Sequence, residues 1–133
     1  MYRKFLLLIL IIPSLSFAQQ KDTTVKATDD LFEDAVDASF PGGLEGWQNY
    51  LIQNMRYPRK AMKKEIQGTV VVQFIIDTNG KTSEIEAIEG PEILAAEAIR
   101  LIKESGKWLP AHNKDKPLKS YKRQPFVFKL EKG

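Results

Sequence analysis

Enzymatic chemistry needs side chains that attack, exchange protons or hold a metal, and this sequence is short of all three. It has no cysteine and a single histidine, His112. Thiolate nucleophiles, disulfides and Cys- or His-rich metal sites are thereby excluded. No Gly-x-Ser-x-Gly turn supplies a serine nucleophile. A general base needs a partner within hydrogen-bond reach, and neither kind of nucleophile is there to partner His112. It reads as an exposed loop residue. No phosphate-cradling glycine loop or nucleic-acid motif is present. Glu84 and Glu86 stand two apart, the spacing that puts two carboxylates on one strand face. In a half-buried strand that is the ordinary solvated face. No enzyme activity, cofactor, metal or small-molecule substrate is expected.

Charge narrows the partners. Lys114, Lys116, Lys119, Lys122 and Arg123 form a basic cluster. It reads first as a solvated loop, and second as a contact for an acidic peptide, phospholipid or glycan. The formal charge of the 133-residue chain is +3, and Arg3 and Lys4 supply two of those charges. The remainder is near neutral, which argues against nucleic acid. The apolar fraction, 43%, suffices for one small core.

Residues 1–18 read as a secretory leader. Arg3 and Lys4 precede the apolar run Phe5 to Ile12, Pro13 breaks it, and Ser16-Phe17-Ala18 places small residues for cleavage after Ala18. The run is shorter than the roughly 20 residues that span a bilayer. The expected location is the periplasm, or the inner membrane if the leader stays as an anchor. Residues 19–39 are mostly polar and acidic and read as a flexible tether. Residues 40–133 form the folded domain.

Within that domain, Phe40-Pro41-Gly42-Gly43 is a turn cluster. Leu44, Trp47, Tyr50, Leu51 and Met55 then recur at helical spacing, giving a helix over 44–54 with one apolar face. Tyr57-Pro58 opens a second helix over 59–66, with Ala61, Met62 and Ile66 inward. Gly68 ends it. Thr69 to Asp77 is the most β-like run, with Val70, Val72, Phe74 and Ile76 on one face. Asp77-Thr78-Asn79-Gly80 carries the Asn-Gly hairpin signal, since both residues tolerate positive φ. The return strand, 81–89, alternates Ser83, Ile85 and Ala87 with Glu84 and Glu86. Gly90-Pro91 starts a helix with a buried stripe at Leu94, Ala98, Leu101 and Ile102. A loop over 107–120 carries Trp108, and the last strand is 121–130, with Phe126, Phe128 and Leu130 inward. The fold class is α+β: a three-stranded antiparallel sheet with helices packed on one face, a split βαβ in which the most apolar strand is central.

Pro125 lies inside the last strand. Proline cannot donate to a ladder and is confined to edges. If Pro125 faces outward, Val127 and Lys129 also turn their main-chain groups outward, and the edge becomes a template for an added strand. Lys122, Arg123, Pro125, Val127 and Lys129 are therefore the candidate partner-binding residues. Asn54, Tyr57 and Pro58, at the joint between the first two helices, are a second candidate contact, although Tyr57-Pro58 reads chiefly as a helix start with a packed ring.

Several of these motifs together resemble one family. Tyr57-Pro58 precedes a helix containing Ala61. Gly68-Thr69-Val70 leads the central strand, and Asp77-Thr78-Asn79-Gly80 makes the turn. The run Leu94 to Ala98 is followed by Lys107-Trp108-Leu109-Pro110, then Lys116-Pro117-Leu118 and the strand Pro125 to Leu130. Over about 40–130 this is similar to the C-terminal domain of TonB, and the Phe40-Pro41-Gly42-Gly43 lead to its Bacteroidetes form. The resemblance implies a periplasmic domain that grips the Ton box of outer-membrane TonB-dependent transporters by adding a strand to its sheet. Other periplasmic proteins, or a second copy paired edge to edge as a homodimer, are alternative partners. The sequence departs from the family in having a short tether for a long proline-rich spacer, and Asp115 where glycine usually precedes Lys-Pro.

Overall fold

A computed structural model of the chain describes Tyr2–Phe5 and residues 35–132. Its elements run β1 Tyr2–Phe5, β2 Ala35–Val36, α1 Gly43–Asn54, α2 Arg59–Lys63, β3 Gly68–Ile76, β4 Thr82–Glu89, α3 Glu92–Lys103, β5 Ala111–Asn113, β6 Lys116–Leu118, β7 Ser120–Phe128 and β8 Leu130–Lys132. The main sheet has the order β4-β3-β7, with both pairings antiparallel.

β3 is central because it is apolar enough to be. Val70, Val72, Phe74 and Ile76 are fully buried on one face. Against that face pack Leu94, Ala98, Leu101 and Ile102 of α3, Trp47 and Leu51 of α1, and Ala61 of α2. Phe40, Trp47, Phe74, Trp108 and Phe126 form a chain of ring contacts, with centroids 5.2 to 5.8 Å apart. The α+β arrangement expected from the sequence is the one found.

Several local expectations are corrected. Leu44, expected inward, is 65% exposed. Gly42, at φ 87°, folds the chain back so that Phe40 meets Trp47 and Tyr50 in its place. Met62 is also exposed at its margin, 37%, because α2 is only five residues long and turns Ala61 inward. That helix stops before Gly68. Glu65 adopts φ 56°, its N–H bonds the Met62 carbonyl, and the Ile66 N–H bonds the Ala61 carbonyl. This pair of bonds is the Schellman termination, here without glycine.

The Asn-Gly hairpin forms, but with a five-residue loop between Ile76 and Thr82, and only Gly80 takes positive φ. Asp77 Oδ1 instead accepts the N–H groups of Asn79 and Lys81 at 2.8 and 2.9 Å. Gly80 is required: a Cβ there would lie 2.0 Å from the Trp108 carbonyl oxygen.

The expected loop over 107–120 holds a hairpin, β5-β6, joined by β2 into a second three-stranded sheet. Strands of two or three residues are too short to show alternation. His112, expected exposed, is half-buried in β5 opposite Val36 and Pro117. Folded structure therefore includes Ala35 and Val36, inside the stretch expected as tether, and Ala38 is buried. Of the expected leader, only Tyr2–Phe5 is described, paired with β8. The rest of the apolar run, the cut after Ala18 and the tether up to residue 34 lie outside the described residues. Among the described residues, no helix is long and apolar enough to cross a membrane.

Candidate docking edge

β7 pairs with β3 through nine consecutive residues without a register shift, from Gly68↔Phe128 to Ile76↔Ser120. Pro125 stands opposite Val71. In an antiparallel ladder, opposite residues alternate between pairs that exchange both main-chain bonds and pairs that exchange none. Pro125 has no N–H, so it occupies a pair of the second kind. The alternation then assigns Tyr121, Arg123 and Val127 to the same kind. Their N–H and C=O groups, with the C=O of Pro125, point away from β3. Among the described residues no strand pairs with that flank. The Gln124 side chain donates to the Pro125 carbonyl at 3.3 Å, as an outward carbonyl allows.

The opposite edge differs. β4 carries two bulges against β3, one between Glu89 and Ala87 and one between Glu86 and Ser83. Glu84, at φ 47°, lies in the second. The extra residue moves Ser83 opposite Ile75 and Glu86 opposite Gln73, so Ser83 does not share a face with Ile85 as its spacing suggests. The exposed residues of this edge include Glu84, Glu86 and Glu89. Bulges and like charges are the two ordinary means of blunting an edge.

The β7 flank is bounded at both ends. At its start, Asp37 and Ala38 stand beside Ser120 to Arg123 around an open cavity of about 250 Å³. At its end, β7 stops at Phe128, and β8 is already paired with β1.

The structure distributes the candidate residues unevenly. Arg123 and Pro125 are exposed and Val127 is half-buried, all in the outward row. Lys129 is exposed at the break between β7 and β8. Lys122 has the opposite parity. Its ammonium donates to the Ala38 carbonyl at 3.0 Å and lies 5.9 Å from the Trp108 ring centroid. It ties β2's exit to the core and is not a free member of a basic cluster. Tyr121, 69% exposed, was absent from the sequence candidates and belongs to the outward row. So does the support given by Gln73, whose side-chain oxygen accepts from Arg123 Nε at 3.0 Å.

Asn54, Tyr57 and Pro58 are half-buried at the joint between α1 and α2. Glu97, 8% exposed on α3, accepts the Arg56 N–H at 2.5 Å and Arg100 Nε at 2.6 Å. Arg100 Nη2 in turn donates to the Asn54 carbonyl at 2.8 Å. The bonds to Glu97 push the Arg100 guanidinium further toward its charged form. The Tyr57 hydroxyl donates to the Ile66 carbonyl, and its ring meets Phe128 edge-on at 5.7 Å. This joint fixes α1 and α2 to α3 and to the buried end of β7.

Comparison with known proteins bears on the family and the fold. A family model described as the Gram-negative bacterial TonB protein C-terminal matches residues 53–130, more than half of the chain. A solution structure of the Helicobacter pylori TonB C-terminal domain, residues 194–285, is similar at 26% identity and a TM-score of 0.50, covering 68% of this chain and 96% of that one. A second solution structure of that domain, residues 179–285, gives 23% identity and a TM-score of 0.49, covering 65% and 78%. No curated protein matches the chain.

Proposed function

The chain belongs to the TonB C-terminal domain family, a non-enzymatic family of TonB-dependent transport, and from that premise we propose that it docks extended segments of outer-membrane TonB-dependent transporters along β7. The Ton box of such a transporter adds as a strand, its main chain bonding the outward groups of Tyr121, Arg123, Pro125 and Val127. Strand addition takes affinity from the main chain and specificity from alternate side chains. One observation supports this reading above the rest: a nine-residue, unbulged strand with its outer flank unpaired among the described residues.

On the same reading residues 1–18 direct the domain to the periplasm and are removed after Ala18, and the remainder of the polar stretch up to residue 34 is the tether. Removal of the leader takes β1 with it and frees the β8 residues paired with it. The protein then acts as a periplasmic adaptor for transport.

The test is an NMR titration of the mature domain with Ton-box peptides. Shifts at the amides of Tyr121, Arg123 and Val127 are expected. A saturating titration that leaves this strand unmoved refutes the reading. The same flank also suits a second copy of the chain. Solution scattering separates that case, because an edge-to-edge homodimer doubles the mass and excludes the peptide.

A further inference from the structure

Positive charge gathers around α2. Arg56, Arg59, Lys60, Lys63 and Lys64 fall within nine residues, and Glu65 is the only acid between Glu45 and Asp77. All five cations are exposed. None forms an ion pair among the described residues. Helical spacing sets Arg59 and Lys63 opposite the buried Ala61, with Lys60 on one flank and Met62 on the other. Like charges at i, i+4 destabilise a helix, and Arg59 and Lys63 hold that spacing in a helix of five residues. The domain's own side chains do not offset this repulsion. An anionic partner relieves it.

Apolar side chains stand at the margins of the patch. Ile52, in the last turn of α1, is 69% exposed, and Met62 is 37% exposed. Cations beside exposed aliphatic groups suit a layer of lipid headgroups. The cations meet phosphates, and the apolar groups enter the boundary beneath them. The outer side of a helix is convex, and here its charges spread over that side and one flank. Such a shape fits a flat surface better than a single enclosed ligand.

We infer that α2, with the end of α1, rests on an anionic phospholipid surface. Arg56, Arg59, Lys60, Lys63 and Lys64 meet the phosphates, and Ile52 and Met62 enter between headgroups. The inference holds whether or not β7 takes an added strand. It also orients the domain. The Tyr57 ring, just before α2, meets Phe128 at 5.7 Å, so the lipid surface lies nearer the Phe128 end of β7 than the Ser120 end.

The experiment is co-sedimentation of the mature chain, from Gln19 onward, with vesicles of phosphatidylcholine alone or mixed with phosphatidylglycerol. The leader is left out because an apolar run binds lipid by itself, and a cooperative thermal melt confirms the fold. Binding to the mixed vesicles that falls with salt, and little binding to the neutral ones, is expected. Each cation at the surface contributes roughly fivefold in affinity, so Lys60→Gln with Lys63→Gln should weaken binding about 25-fold. That double variant should melt no lower than the wild type, since it removes repulsion. Lys116→Gln with Lys119→Gln takes the same charge from another part of the surface and should leave binding unchanged. Ile52→Ser should weaken the binding that survives high salt. Equal sedimentation with both kinds of vesicle, or equal losses from the two lysine pairs, overturns the inference. So does capture by an acidic polymer such as polyglutamate without binding to the mixed vesicles.

Discussion

β4 and β7 flank the same central strand, and both are edges of the main sheet, yet they differ as docking templates. β7 keeps register with β3 over nine residues and places its single proline where no donor is needed. β4 is interrupted twice within eight residues and carries exposed glutamates. A strand added to β4 must follow two bulges past a run of like charge. A strand added to β7 meets evenly spaced groups. An exposed edge alone therefore says little about binding. On the proposed reading, regularity of the ladder and the sign of the charge decide which edge accepts a partner.

Five substitutions break or sharpen this contrast. The largest effect should come from Phe126→Ala. Phe126 is 1% exposed against Trp47, and truncating a buried phenylalanine costs about 3–5 kcal/mol. The shift in urea midpoint measures it, and peptide binding should be lost with the seating of β7. Next is Gly90→Ala, at the exit of β4. Gly90 has φ 105°, and a Cβ there would lie 2.3 Å from the Thr69 carbonyl oxygen. A loss of about 1–3 kcal/mol is expected, from strain in this backbone region, with the β7 edge still binding peptide.

Val127→Pro tests the outward row directly. The Val127 N–H is not used by β3, so the melt should change little. Removing that donor should weaken peptide binding by about tenfold, read by calorimetry. Glu86→Gln on β4 is the control and should leave binding unchanged.

The smallest effect concerns the β3-β4 turn. The Lys81 N–H, then that of Asn79, holds the Asp77 carboxyl below its ordinary range. A depressed folded pKa contributes stability above the unfolded value and loses it as pH falls through the folded one. The difference in urea midpoint between wild type and Asp77→Ala should therefore shrink from neutral pH to about pH 2, without reversing sign.

The two edges also show how much was legible in the sequence. Pro125 is a hard constraint, since a missing N–H excludes a central strand whatever the context. It gave the edge, and parity then gave Val127 and Lys129, of which Lys129 falls at the break between β7 and β8. The bulges of β4 were hidden, because Glu84 and Ile88 carry no local mark of being extra residues. Only the pairing with β3 exposes the count. Lys122 was grouped with its neighbours by sequence proximity, whereas strand alternation sends it to the other face, over Trp108. Gln73 was invisible as a contributor because its role depends on what stands opposite it. The short strands β2, β5 and β6 escaped notice for a similar reason: they exist through pairing across a long loop.

Composition and periodicity determined the lack of cysteine, the helical stripe of α3, the central place of β3 and the edge position of β7. Those are properties of residue type and spacing, and they hold before any long-range contact forms. The tertiary structure decided which edge is regular, what bounds the unpaired flank of β7, and that Lys122 is engaged by Ala38 and Trp108. These depend on register and on contacts between residues far apart in the chain. Spacing along one strand cannot encode what stands opposite it.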